Sequence, residues 1–174
     1  MRWRGFASVA FAAVFGLVLF QLHRVGGAVW FVANNTSAGW LLLPFLVGAI
    51  HPELRRAVGY GLAAPVVGLV AFYAFSPWWR ADMLSERYYL QWLIGGLLTG
   101  PVCGALGHWW RVRGSRAAGA AIGAVFVLEP FAWMAARGYL PGSRWVWSLE
   151  MAFGLTLAAI ALCRRPGGAR PVAT

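Results

Sequence analysis

Apolar and polar positions divide this chain into long apolar runs separated by short polar segments. The runs cover residues 5–22, 37–50, 57–75, 88–107, 117–136 and 145–163. A helix needs about 20 predominantly apolar residues to cross a bilayer, and most of these runs approach that length. The pattern predicts an all-α polytopic membrane protein, a six-helix transmembrane bundle forming one domain over residues 1–163. The Arg, Pro and Gly residues of 164–174 predict a flexible tail.

Composition agrees with membrane insertion and leaves no room for a separate soluble domain. Of the 174 residues, 60% are apolar and 11% are charged, whereas soluble domains carry about 25% charged residues. The mean hydropathy is +0.64. These values exclude a soluble globular domain, a disordered chain and a disulfide scaffold.

The net charge of +10 comes from 15 Arg, because the chain contains no Lys. Cytoplasmic termini place ten of them inside, namely Arg2, Arg4, Arg55, Arg56, Arg111, Arg113, Arg116, Arg164, Arg165 and Arg170. Since positive loops favour the cytoplasmic side, we expect both termini in the cytoplasm and a multi-pass location in a bacterial cytoplasmic (inner) membrane. Arg beside apolar runs meets anionic lipid, so the expected partner is the bilayer and not nucleic acid.

The first run also permits a second interpretation. Arg2 and Arg4 precede it as basic residues precede a signal peptide, but the run is long and five more follow, which favours a retained helix. Cys103 and Cys163 fall in apolar runs and are expected to be small packing residues.

Metal and cofactor chemistry has little support in the sequence. The three histidines, His23, His51 and His108, lie far apart at the ends of runs, so no metal site and no cofactor are expected.

Glycines at a spacing of four residues indicate close helix packing. Gly96, Gly100 and Gly104 form two overlapping G-x-x-x-G units, which let helix backbones approach closely. They predict a compact bundle and offer a surface for a homo-oligomer.

Five carboxylates are the most informative residues. Glu53, Asp82 and Glu86 fall in predicted loops, where solvated charges are ordinary. Glu129 and Glu150 fall inside the fifth and sixth runs, where an ionisable group costs about 2.5 to 3.5 kcal/mol on insertion scales. At about 1.5 Å per residue, both lie about 8 to 10 Å below the predicted outer boundary. An antiparallel hairpin would therefore bring the two carboxyls together.

Two carboxyls in an apolar site do not both ionise cheaply, so one is expected to stay protonated and to act as a proton donor. Two structural alternatives stay open. In the first, one or both glutamates form an ion pair with Arg137 or Arg144. In the second, they stabilise the bundle through hydrogen bonds to a neighbouring helix.

Aromatic and neutral polar residues share the predicted depth of these acids. The expected substrate-binding set is Asn34, Asn35, Trp40, Tyr73, Tyr88, Tyr89, Gln91, Trp92, Phe126, Trp133 and Trp147. Aromatic faces stabilise a desolvated cation by about 2 kcal/mol or more. A protonated acid among them favours a metal-independent reaction, in which an alkene or epoxide is protonated and the carbocation is shielded from water. Glu129 and Glu150 are the expected catalytic residues.

In size, number of spans, buried acids and abundant Trp, the chain resembles the small membrane-bound terpene cyclases of actinobacterial indole-sesquiterpenoid pathways. The resemblance implies a prenylated indole or a similar lipophilic polyene as the substrate.

A second resemblance rests on Asn34-Asn35-Thr36-Ser37-Ala38-Gly39-Trp40, on Gly100-Pro101-Val102-Cys103-Gly104 and on Trp109-Trp110-Arg111. These segments are similar to an uncharacterised family of actinobacterial integral membrane proteins, which implies the bundle but no activity. Two other functions stay open beside the cyclase. Buried Glu pairs also serve proton-coupled transporters, and the glycine faces would suit a non-catalytic accessory protein.

Overall fold

The computed structural model describes residues 2–25, 36–74, 86–140 and 144–163, and every element in these ranges is helical. The helices are α1 (Arg2–Val25), α2 (Ser37–Ile50), α3 (Leu54–Ala74), α4 (Glu86–Val112), α5 (Arg116–Arg137) and α6 (Arg144–Cys163). The all-α class is confirmed, and the helices begin and end close to the apolar runs. The largest difference is in α4, which continues past the predicted end at Gly107 and includes Trp109 and Trp110 before it ends at Val112.

Five helices are long and apolar enough to cross a membrane, and α2 is the exception. With 14 residues, α2 is about 21 Å long, against about 30 Å for the hydrocarbon core of a bilayer. Large apolar side chains are exposed on the other helices, for example Leu98 at 70% and Leu149 at 61%. This arrangement is typical of a multi-pass protein that turns apolar side chains toward lipid.

The helices form two substructures. In the first, the four-helix body, α4 packs against α3 and α2, and α1 packs against α3. In the second, the α5–α6 hairpin, the two helices pack on each other, and α5 touches α2 and α4 over a smaller area. Gly114 with φ 64° and the Ser115 side chain, which accepts from the N–H of Ala118 at 3.3 Å, turn the chain from the body into α5. The hairpin therefore joins the body through a narrow seam.

Glycines allow the helix backbones of the body to touch. A methyl group on Gly104 would overlap the carbonyl oxygen of Ala57, and one on Gly100 would meet the carbonyl oxygen of Gly61 at 2.5 Å. A methyl group on Gly96 would lie 2.8 Å from Pro65 Cβ. Residues of α3 in the same chain cover these three glycines, so the surface expected to form a homo-oligomer is used within the protein.

The two cysteines differ from each other. Cys103 is buried among α2, α4 and α5, as expected of a small packing residue. Cys163 is exposed, so its predicted packing role is wrong. It is the last residue of α6, a helix that packs mainly on α5 and leaves its other faces open.

The glycine contacts predict a sharp difference between two positions on α4. We expect Gly104→Ala to destabilise the protein by about 1 to 3 kcal/mol, because the added methyl group must displace backbone atoms of α3. Gly95→Ala meets nothing within 4 Å and is the matched control. Thermal unfolding in detergent micelles measures both variants. Equal melting temperatures would show that the tight α3–α4 contact does not limit stability.

Candidate functional site

Glu129 connects the hairpin to the body. It lies in α5, its side chain is only 7% exposed, and its carboxylate reaches the N-terminus of α2. Oε2 accepts a hydrogen bond from the backbone N–H of Ala38 at 2.7 Å, and Oε1 accepts one from the backbone N–H of Ser37. Glu129 therefore caps a helix that lies 91 residues earlier in the chain.

The N-terminus of α2 needs such a partner. The first N–H groups of any helix lack an intrahelical acceptor, and the side chain of the N-cap residue Thr36 makes no capping hydrogen bond. At membrane depth each unsatisfied N–H costs several kcal/mol, because no water replaces the missing acceptor. A carboxylate also interacts favourably with the positive end of the helix dipole. Glu129 meets both requirements at once.

Glu150 of α6 lies beside Glu129, close enough for a hydrogen bond between the two carboxyls. The depth comparison made from the sequence predicted this meeting, and the structure confirms it. A hydrogen bond between two carboxyls requires that one of them carries a proton, because an ionised carboxylate is an acceptor only. Oε1 of Glu150 is buried and has no hydrogen-bond partner among the described residues.

The two arginines that were alternatives as ion-pair partners lie elsewhere. The Arg137 guanidinium lies 4.2 Å from the centre of the Trp133 ring, and Arg144 is exposed at the start of α6. Glu129 instead follows the other structural alternative, a hydrogen bond to a neighbouring helix. Each of its two oxygens accepts a backbone N–H, whereas Oε1 of Glu150 has no hydrogen-bond partner among the described residues.

A cavity of about 350 Å³ lies beside the capped end of α2, between the body and α5. Four residues of the predicted substrate-binding set are on its wall: Trp40, Gln91, Trp92 and Trp133. Its other lining residues are Ser37, Leu41, Pro44, Pro65, Gly95, Gly96, Thr99 and Arg137. Glu129 and Glu150 are not on the wall. Ser37 connects the two places, since its N–H binds Glu129 while the residue lines the cavity.

Four further residues of that set are described by the structure and are not on this cavity wall. Tyr73 and Tyr89 pack edge to face at 5.1 Å in the core between α1, α3 and α4. Phe126 packs against Phe153 at 5.1 Å, and Trp147, which is 2% exposed, packs 6.1 Å from Trp133. Asn34, Asn35 and the side chain of Tyr88 lie outside the described residues.

A second polar cluster, at the opposite end of the bundle, was not found from the sequence. His51, 2% exposed, follows the last residue of α2, and its Nε2 lies 2.9 Å from Ser8 Oγ. Ser8 Oγ also donates to the carbonyl of Arg4, so the Nε2–H of His51 is the donor between the two side chains. His108 donates from Nδ1 to the carbonyl oxygen of His51 at 3.0 Å. The sequence analysis considered the histidines only as metal ligands and therefore missed their hydrogen bonds between helices.

The charges around His51 disfavour its protonation. Burial lowers its pKa below the ordinary 6.5, and the positive charges of Arg4 and Arg56 lower it further, while Glu53 opposes them. Glu53 forms an ion pair with Arg56 at 3.0 Å. Arg4 lowers the pKa of His51 more than Arg56 does, and it has no carboxylate partner among the described residues. The ring of Tyr60 stacks on that of His51 with centres 4.4 Å apart. These surroundings favour the neutral form of the His51 imidazole.

The chain belongs to DUF6518, a family of unknown function, which it matches over residues 2–174. No curated protein matches the chain, and no solved structure matches it. The family gives no activity, so the site is interpreted from its own residues.

Removing the charge of Glu129 tests the cap. We expect Glu129→Gln to lower the free energy of unfolding by about 1.5 to 3 kcal/mol, the contribution of hydrogen bonds to a charged group, because the neutral amide keeps only one acceptor oxygen. Glu53→Gln removes an exposed carboxylate and is the matched control, expected to change stability by less than about 1 kcal/mol. Thermal unfolding in micelles compares them. A Glu129→Gln protein as stable as the wild type would contradict the capping role.

The lowered pKa of His51 predicts a stability that depends on pH. Below about pH 6.5 the unfolded chain binds a proton at His51 that the folded protein resists, so stability falls as the pH is lowered through this window. His51→Gln keeps a hydrogen-bonding side chain but does not titrate. We expect the melting temperature of the wild type to fall more than that of the variant between about pH 7 and about pH 5. Parallel curves would show that His51 is not the titrating group.

Proposed function

We propose that this protein is a proton-coupled membrane protein, in which proton binding at Glu129 and Glu150 controls access of a lipophilic small molecule to the cavity beside α2. One observation carries the proposal: the carboxyl that binds the hairpin to the body lies within hydrogen-bonding reach of a second carboxyl. A buried carboxyl pair at membrane depth is the arrangement that proton relays in pumps and transporters use.

Protonation has a direct mechanical consequence at this seam. As an anion, Glu129 accepts from two backbone N–H groups and complements the dipole of α2. When the pair binds a second proton, both carboxyls are neutral, Glu129 loses its charge and one of its acceptor oxygens becomes a hydroxyl. The cap then weakens, and α5 is free to move away from α2. Ser37 and Trp133 lie on the cavity wall, so this movement changes the shape of the cavity.

The cavity wall defines the class of ligand. The indole rings of Trp40, Trp92 and Trp133 offer flat apolar surfaces, and the wall also carries Gln91 and Arg137. Nε1 of Trp40 is buried and has no acceptor among the described residues. A lipophilic, aromatic molecule that carries a hydrogen-bond acceptor or a negative group fits these features, and about 350 Å³ matches a small ligand.

The topology predicted from arginine is part of the proposal. We place six crossings in a bacterial cytoplasmic membrane, with both termini in the cytoplasm. The short helix α2 then ends at the cytoplasmic side, before Arg55 and Arg56, and its N-terminus lies about 10 Å short of the outer boundary. Glu129 lies eight residues from Arg137, about 12 Å along α5, so the cap falls at the depth of the N-terminus of α2.

A terpene cyclase is the second candidate, and the three indoles on the cavity wall favour it. They would shield a carbocation derived from a prenylated aromatic, with Glu150 as the proton donor and Glu129 as its positioning partner. It ranks second because a catalytic acid must touch its substrate, and neither carboxyl is on the cavity wall.

Distance measurements between spin labels test the coupling. Labels at Val18 of α1 and Leu149 of α6, both exposed, report the separation of body and hairpin after Cys103 and Cys163 are replaced by Ala. We expect the distance to change by on the order of 2 Å or more when the pH is lowered from about 9 to about 5, because added protons neutralise the carboxyl pair. Glu129→Gln is expected to show the low-pH distance at every pH. Labels at Val18 and Leu98, both in the body, are the control.

Two outcomes would overturn this ranking. Label distances that are independent of pH would contradict the proposed coupling between proton binding and the separation of body and hairpin. A cyclised product formed from prenylated indoles in membranes, and lost in a well-expressed Glu150→Gln variant, would instead favour the cyclase.

A further inference from the structure

The end of the bundle that holds the His51 cluster also contains two adjoining cavities, of about 500 Å³ and about 510 Å³. Both are lined by Trp3, Arg4, His51 and Pro52. Arg56 and Tyr60 complete the wall of the first, and Arg111 and Trp110 are on the wall of the second. Arginine therefore faces this space from α1, α3 and α4.

The charge in these cavities is not neutralised by the described residues. Glu53 is the one carboxylate that acts on His51 here, and it is bound to Arg56. Arg4 donates from one guanidinium nitrogen to the carbonyl oxygen of Ile50 at 3.2 Å, which fixes its position while the rest of its five N–H donors are left for a ligand. Arg111 is exposed at the far side of the same space. The balance over Arg4, Arg56, Arg111 and Glu53 is two positive charges.

Hydrogen bonds behind Arg4 hold the cavity wall in place. Ser8 binds the Arg4 carbonyl and the His51 ring, and His51 binds His108, so the wall is anchored to α1, α2 and α4 at once. Burial and the charge of Arg4 lower the pKa of His51, which disfavours a second positive charge beside Arg4. Trp3 is 65% exposed at the mouth, with the Arg4 guanidinium 5.6 Å from the centre of its ring. Indole at this position is typical of headgroup depth.

We propose that these cavities form one binding site for a phosphate group, held by Arg4 and Arg111 against the aromatic wall of Trp3 and Tyr60. The forked donors of Arg fit the oxygen atoms of phosphate, and two net charges match a phosphomonoester or a pair of phosphodiester groups. The phosphate belongs either to an anionic lipid headgroup or to a soluble phosphate compound. The site is independent of the Glu129–Glu150 pair, which lies toward the opposite end of the helices.

Binding is measured with the full-length protein in detergent micelles by the rise of its melting temperature. The probes are short-chain phosphatidylglycerol, short-chain phosphatidylcholine as the zwitterionic lipid, and inorganic phosphate against chloride at equal ionic strength. Stabilisation by phosphatidylglycerol alone identifies a lipid headgroup, and stabilisation by inorganic phosphate identifies a soluble source. Either result supports the site if the variants below remove it.

Matched arginine variants separate a site from general surface charge. We expect Arg4→Gln and Arg111→Gln each to weaken the apparent affinity by about tenfold. Arg113→Gln removes an equal charge at an exposed position outside the cavity walls and is expected to change nothing. Arg4→Lys keeps the charge without the fork and is expected to restore binding only in part.

Arg4→Gln also removes the hydrogen bond to the carbonyl oxygen of Ile50. If that variant unfolds, the affinity of Arg111→Gln decides the test. Equal loss of affinity in Arg113→Gln and Arg111→Gln would overturn the proposal in favour of diffuse attraction by the basic end. Absence of stabilisation by every phosphate probe would overturn it as well.

Discussion

The cap that Glu129 places on α2 is the interaction on which the rest of the arrangement depends. A helix of 14 residues does not reach across a bilayer, so in the proposed topology one of its ends must be satisfied within the apolar layer. The chain solves this with a carboxylate from α5, which satisfies two backbone donors at one point. The cavity, the seam between hairpin and body and the carboxyl pair all adjoin this contact.

Stiff and mobile parts of the molecule follow from how the helices touch. In the body, glycines bring backbones into contact at Gly48 and Gly104 and at Gly61 and Gly100, where small movements produce overlap. The hairpin has its own close contact between Gly123 and Gly154 but meets the body through fewer residues. The seam is therefore the place where the contacts least oppose a relative movement of hairpin and body.

The sequence predicts those features that depend on regular helix geometry. The spans follow from apolar runs, and the meeting of Glu129 and Glu150 follows from a fixed rise per residue along two adjacent helices. What a helix faces depends on its rotation, which weak amphipathic patterns do not fix. Cys163 is exposed, against the prediction, for this reason. The partners of Glu129 are backbone groups, which every sequence contains at every position, so no residue pattern marks them.

The long sequence separation of the cap constrains how the chain enters the membrane. Ser37 and Ala38 leave the ribosome long before Glu129, with about 90 residues and two further helices between them. Until α5 is synthesised, the leading amides of α2 have only water or lipid headgroups as partners, which favours a shallow position for this helix. The proposed topology therefore makes full burial of α2 a late step of biogenesis, which the C-terminal hairpin completes.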